Sequence, residues 1–231
     1  MKKSIVIIIV LVVIICSICI YLNTYYKADS EVNDYLESNT INVSKIDNTY
    51  FFDGPGEENT IIFYPGGKVE YTSYAPLLYK LAENGIDTFL LQMPFNLAIL
   101  DTDAANKIIN DYEYDNYYLM GHSLGGVAIS MHKFNNIDGI IFLASYPTKK
   151  INDNISVLSI YGTNDGVLDM DKYNKSKKYW SKYTIEKVIN GANHSQFGNY
   201  GDQKGDNPAT ITRKKQQYKT IETIIDFINN M

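Results

Sequence analysis

Gly121-His122-Ser123-Leu124-Gly125-Gly126 stands between a strand-like run, Asn116 to Met120, and a helix-like stretch, Val127 to Phe134. Its reading decides the fold. Gly-x-Ser-x-Gly in that setting predicts a nucleophile elbow, with the serine on a strained strand-to-helix turn and glycines where a side chain would collide with the adjoining strand and helix. Ser123 is therefore the candidate nucleophile.

A serine hydroxyl is a weak nucleophile at neutral pH, so the elbow requires a histidine to take its proton and a carboxylate to orient that histidine. The chain has three histidines. His122 lies inside the elbow and points away from the hydroxyl of its neighbour, and His132 falls within the helix that follows. His194 instead sits in the turn-forming Asn190-Gly191-Ala192-Asn193-His194, directly after the strand-like run Thr184 to Ile189. For the acid, Asp165 lies in Tyr161-Gly162-Thr163-Asn164-Asp165-Gly166, just past the apolar strand Ser156 to Ile160. Asp169 and Asp171 compete with it, but they open the next helix, where the dipole favours acidic residues in any case.

The order Ser123, Asp165, His194 separates this arrangement from the chymotrypsin and subtilisin orders. From about residue 45 onward the chain resembles α/β-hydrolases, and is most similar to a compact bacterial subgroup, α/β-hydrolase fold-5, itself akin to dienelactone-hydrolase-like proteins. The likeness is carried by Phe63-Tyr64-Pro65-Gly66-Gly67-Lys68, Met93-Pro94-Phe95-Asn96-Leu97-Ala98, the elbow, Ser159-Ile160-Tyr161-Gly162-Thr163-Asn164-Asp165-Gly166 and His194-Ser195-Gln196-Phe197-Gly198. Dienelactone hydrolases use cysteine where this chain has Ser123, so their substrate does not carry over.

Attack by a serine on a planar carbonyl creates an oxyanion, and two backbone N–H groups must already face it. Leu124, next after the nucleophile, supplies one. The loop after the strand Thr60 to Phe63 supplies the other, at Gly67 with Lys68 close behind. The same loop is not a nucleotide-binding P-loop, which would need Gly at Ile62 and Ser or Thr at Val69.

Apolar runs at Thr60 to Tyr64, Asp87 to Met93, Asn116 to Met120, Gly139 to Ser145, Ser156 to Tyr161 and Thr184 to Ile189 predict strands buried on both faces. Helix-period stripes lie between and after them: Leu77, Leu78, Leu81, Ala82; Ala104, Ala105, Ile108, Ile109; and Ile221, Ile224, Ile225, Ile228. The alternation predicts a mostly parallel sheet with helices on both faces, and the resemblance implies that it is an α/β-hydrolase fold. Lys45 to Asp53 is expected to add an antiparallel edge strand. Between Tyr146 and Ser156 there is too little chain for a helical cap, so an open site is expected, walled by Phe95 to Leu97 and by Phe197 to Asn207. Lys68, Phe95, Asn96 and His122 are the candidate substrate-binding residues.

Ile5 to Leu22 is apolar except for Ser17 and follows Met1-Lys2-Lys3, which predicts a membrane-spanning helix with its N-terminus in the cytoplasm and the rest of the chain outside. A cleaved signal peptide is the competing reading, but its apolar region is shorter and ends at a small-x-small site. Residues 1–22 are thus expected to be the anchor, 23–40, with Ala28, Val32 and Leu36 at helical spacing, a stalk or short juxtamembrane helix, and 41–231 the catalytic domain. Both cysteines, Cys16 and Cys19, lie inside the apolar run, so the expected domain has neither thiol nor disulfide. Ile15 and Ile18 before them oppose a lipoprotein site.

Net charge is −5, from 21 basic and 26 acidic residues, and without a basic stripe nucleic acid is not an expected partner. The histidines lack metal-ligand spacing and no dinucleotide fingerprint occurs, so no cofactor is expected. The chain is read as a membrane-anchored extracytoplasmic serine hydrolase acting on a carboxylic ester of a small molecule or of the cell envelope. An acyltransferase with the same triad and a non-catalytic binding protein on the same fold are the alternatives.

Overall fold

The apolar runs form strands, and the computed structural model, which describes residues 2–231, joins them into one eight-stranded sheet. Helix α1 (Lys2–Asn23) comes first, then a short turn and α2 (Asn33–Leu36), then β1 (Asn42–Ile46), β2 (Thr49–Asp53) and β3 (Asn59–Tyr64). They are followed by α3 (Ala75–Glu83), β4 (Asp87–Leu91), α4 (Ala105–Asp111), β5 (Asn116–His122), α5 (Leu124–Met131) and β6 (Gly139–Leu143). The chain ends with β7 (Ser156–Gly162), α6 (Met170–Ser176), β8 (Thr184–Ile189) and α7 (Arg213–Asn229). The strand order is β1-β2-β4-β3-β5-β6-β7-β8, parallel from β4 to β8, with β1 and β2 antiparallel.

Side chains alternate across the sheet and so feed two cores. Ile61 and Phe63 pack with Leu77, Leu78 and Leu81 of α3 and Ile224 and Phe227 of α7 on one face; Ile62 and Tyr64 pack with Ile108 of α4 and Ala128 and Ile129 of α5 on the other. All three expected helical stripes thus contribute to the cores. The segment between β6 and β7 holds no helix, so nothing caps the sheet there.

Four local expectations change. The single edge strand is a hairpin, because Asp47 at φ 53° turns the chain between β1 and β2. β8 is an outer strand with its middle exposed, and Glu186 and Lys187 in it discourage pairing with another sheet. α5 ends at Met131, so His132 lies outside it in extended backbone, with its ring against Asn106 Nδ2 at 3.2 Å.

The fourth concerns residues 24–37, which lie on the domain. Tyr26 forms a parallel bridge to Val69, donating its N–H to Lys68 O at 2.8 Å and accepting from Glu70 N at 2.8 Å. Asp29 N–H donates to Asn199 O at 2.8 Å, Val32 is buried, and Arg213 holds the Asp29 carboxylate at 2.6 Å. Tyr35 meets Tyr79 edge-on at 5.4 Å between centroids. Val32 and Leu36, at helical spacing in the sequence, thus face the domain. Ile5–Asn23 of α1 is long and apolar enough to cross a membrane and is not buried against the domain.

Candidate active site

The turn from β5 into α5 places Ser123 at φ 51°, ψ −119°, a conformation costly for any residue with a Cβ. Two glycines make the turn possible. A Cβ on Gly121 would lie 2.4 Å from Gly126 N, and one on Gly125 would lie 2.1 Å from Tyr64 O. The turn is tied to β6 and the residues just past it, since Ser123 N–H donates to Leu143 O at 2.9 Å and Ser145 Oγ donates to Ser123 O at 2.6 Å.

Asp165 and His194 come from the loops after β7 and β8, which are neighbours in the sheet. His194 Nδ1 lies 2.9 Å from Asp165 Oδ2, and both side chains are almost fully buried. The other carboxylate oxygen accepts from Val167 N at 2.9 Å and Leu168 N at 2.7 Å, which fixes the plane of the group. Asp169 caps α6 by accepting from Lys172 N at 3.0 Å, so the competing acid is already employed. With Nδ1 engaged, Nε2 is the free ring nitrogen of His194. It is buried and has no hydrogen-bond partner among the described residues, Ser123 Oγ included. The His194 ring lies 4.5 Å from that of His122, centroid to centroid and tilted by 47°, immediately before Ser123, and catalytic hydrogen bonds commonly tighten only when substrate is bound.

The amides around Gly67 are distinguished by what they already bind. Gly66 N–H donates to Tyr74 Oη at 3.1 Å and Lys68 N–H to Asn96 O at 2.7 Å, and among these three loop amides Gly67 is the one not so engaged. A Cβ there would lie 2.6 Å from Leu124 Cδ2, so the loop rests directly on the residue after Ser123.

Two expected substrate contacts are corrected by their placement. His122 is buried, and its Nδ1 is 2.8 Å from Tyr74 Oη. Burial, with the His194 imidazole adding to it, pulls the His122 pKa well below the ordinary histidine value, while burial pushes the Tyr74 phenol well above its own. A neutral imidazole accepting from a protonated phenol, whose oxygen accepts in turn from Gly66, braces the Gly67 loop against the elbow. Lys68, at φ 60°, sends its ammonium to Tyr21 O at 2.6 Å and Leu22 O at 2.9 Å. It caps the end of α1 and does not face the cleft. Phe95 is 57% exposed beside Asn96, both with positive φ. Of the other expected wall, Phe197, Asn199 and Tyr200 are buried and only the residues beyond are open.

Tyr74 and Asp206 were not found from the sequence. The Asp206 carboxylate accepts from His194 N, Ser195 N and Gly166 N at 3.3, 2.9 and 3.0 Å, tying the loop of the histidine to that of the acid. An aspartate in a polar loop and a tyrosine among 20 carry no sequence signal for such roles. Among the described residues no group of three or more His, Cys, Asp or Glu stands ready to hold a metal ion. What the arrangement can do is take a proton from a hydroxyl and stabilise negative charge beside it.

The sequence model of the alpha/beta hydrolase family matches residues 60–218. No curated protein matches the chain. Among solved structures, alpha/beta hydrolase domain-containing protein 10 from mouse is similar at 13% identity and TM-score 0.59, covering 83% of this chain and 99% of that one. MGS-MChE2, an alpha/beta hydrolase enzyme from the metagenome of lagoon sediments of Mar Chica, Morocco, has 12% identity and TM-score 0.59, covering 82% and 98%. Thermogutta terrifontis esterase 2, solved phosphoramylated by tabun, has 11% identity and TM-score 0.56, covering 83% and 96%. At these identities the likeness is one of fold.

Proposed function

The chain belongs to the alpha/beta hydrolase family, and from that premise we propose that it is a serine hydrolase of carboxylic esters, held at the outer face of a membrane by α1. The observation that carries the reading is the buried Asp165–His194 pair at 2.9 Å beside an elbow serine with positive φ. Ester as the substrate class is supported by the Thermogutta esterase among the similar folds. The lysines that precede the apolar run support the orientation.

In this mechanism Ser123 Oγ attacks the acyl carbon while His194 Nε2 takes its proton. Asp165 holds the imidazole with Nδ1 protonated and stabilises the imidazolium. The N–H groups of Gly67 and Leu124 receive the oxyanion, each such donor being worth ~2.7–4 kcal/mol in the transition state. Collapse breaks the bond to the alcohol, which leaves with the proton from His194. Water, deprotonated by the same nitrogen, then attacks the acyl-enzyme, and the carboxylic acid departs as Ser123 regains its proton.

The test is fluorophosphonate labelling of the full chain in detergent, beside Ser123→Ala and His194→Ala, followed by turnover of a panel of acyl esters. Labelling of the wild type that disappears in both variants is expected. Labelling that persists in Ser123→Ala would refute the assignment, and a folded wild type that neither labels nor turns over any ester would point to a binding protein.

A further inference from the structure

The end of the membrane helix and the oxyanion loop are in direct contact. Lys68, next to Gly67, holds the last carbonyls of α1 at Tyr21 and Leu22, and only Thr24 and Tyr25 separate α1 from the Tyr26 bridge to Val69. Two residues span at most about 7 Å, so the domain stays close to the end of α1. Tyr21 and Tyr25 mark the headgroup level, where tyrosines collect, and the Lys68 ammonium lies over the Tyr21 ring at 4.8 Å.

Next to Lys68 lies an exposed apolar stretch of the domain. Asn96 accepts the Lys68 N–H, and around it Phe95, Ile99 and Leu100 are 57%, 40% and 54% exposed. The backbone at Phe95 and Asn96 adopts positive φ, which costs energy in residues with a Cβ. The turn Ala98–Leu100 packs against α5, whose first residue follows Ser123. Membrane exit, apolar rim and nucleophile thus stand side by side on the carboxyl edge of the sheet.

We propose that this rim docks into the outer leaflet and that the substrate is a membrane-resident amphiphile whose acyl ester is presented at headgroup level. This deepens the function proposed above and rests on it, both for Ser123 as nucleophile and for α1 as anchor. The open site fits it, since an amphiphile in the leaflet reaches the cleft from the side without leaving the lipid. Short soluble esters reach the same serine from water and are indifferent to the rim.

The test uses the full chain reconstituted in phosphatidylcholine vesicles. One substrate is the oleoyl ester of 4-methylumbelliferone dissolved in the bilayer, the other its acetyl ester in the aqueous phase. Leu100→Asp and Ile99→Asp, surface substitutions that a fold tolerates, are expected to lower turnover of the oleoyl ester about tenfold and to leave the acetyl ester within about twofold. In parallel, a nitrobenzoxadiazole probe at Leu100→Cys, with Cys16→Ala and Cys19→Ala, is expected to be quenched by lipids spin-labelled near the headgroup. A probe at Glu57→Cys, beyond the opposite end of β3 and about 20 Å away, is expected to be unaffected. Equal loss on both esters, or an unquenched probe at residue 100, overturns the inference. A wild type inactive on the acetyl ester overturns the hydrolase reading and the substrate with it, the depth of the probe then deciding the docking alone.

Discussion

Removing one oxygen atom, in Tyr74→Phe, tests whether the oxyanion loop is held from below. Tyr74 is fully buried, and its hydroxyl accepts from Gly66 N–H and donates to His122 Nδ1. The substitution leaves both groups buried without a partner, at ~1–3 kcal/mol each, for a total of about 2–6 kcal/mol. In a protein of this size each kcal/mol lowers Tm by about 2–4 °C, so a fall of roughly 4–24 °C is expected. The Gly67 amide is loosened and not lost. About half of the ~2.7–4 kcal/mol of such a donor should then go, which lowers kcat roughly 10- to 30-fold, with KM little changed. Thermal melting and steady-state turnover of a soluble ester read the two effects separately. A variant with wild-type kcat and wild-type Tm would refute the brace. A lowered Tm with unchanged kcat would show that the hydroxyl stabilises the fold without positioning the loop.

Asp206→Asn replaces one acceptor oxygen by an N–H group facing other N–H groups. A loss of about 1–3 kcal/mol is expected in chemical denaturation, with a kcat penalty larger than that of a surface control such as Asp202→Asn. Gly125→Ala drives a methyl group to within 2.1 Å of Tyr64 O, a backbone atom. A destabilisation of ~3 kcal/mol or more is expected, together with loss of fluorophosphonate labelling, and normal labelling would contradict the packing described. His122 is neutral when buried, and its folded pKa is depressed, so below the ordinary value of ~6.5 the unfolded chain binds the additional proton. Its contribution is therefore complete above about pH 6.5 and is lost as pH falls, at up to ~1.4 kcal/mol per pH unit. Melting curves of wild type and His122→Asn between about pH 7.5 and 5 should differ in that slope.

The parts of the fold that were legible in the sequence are those whose residues must satisfy a local rule. Ile61 to Tyr64 are apolar at every position because β3 is covered on both faces, and Gly121 and Gly125 are glycine because backbone atoms stand where a Cβ would be. Asp165 and His194 were legible from their place after strands, since loops at the carboxyl ends of neighbouring parallel strands meet. What was not legible depends on distant partners. Lys68 looked like a cleft residue because it follows Gly67, yet the α1 carbonyls 46 and 47 positions earlier claim its ammonium. His122 looked like a substrate contact because it adjoins Ser123, yet Tyr74, 48 positions away, holds its ring. Residues 24–37 read as a stalk or short juxtamembrane helix, and their docking place depends on Arg213, Asn199 and Val69, far away in the chain.

That docked segment determines where the chain can be cut. A protease or a cloning boundary at residue 40 would remove Tyr26, Tyr35 and Leu36 from the hydrophobic face they cover, strip Arg213 of the Asp29 and Glu31 carboxylates and leave Val69 without its bridge to Tyr26. The shed fragment would keep Ser123, Asp165 and His194 and still expose an apolar seam, the kind of surface that drives aggregation. Cleavage at Thr24 or Tyr25 keeps the docked segment on the domain and gives up only the Lys68 contacts to the end of α1. A secreted, soluble form of this protein should therefore begin within that two-residue joint.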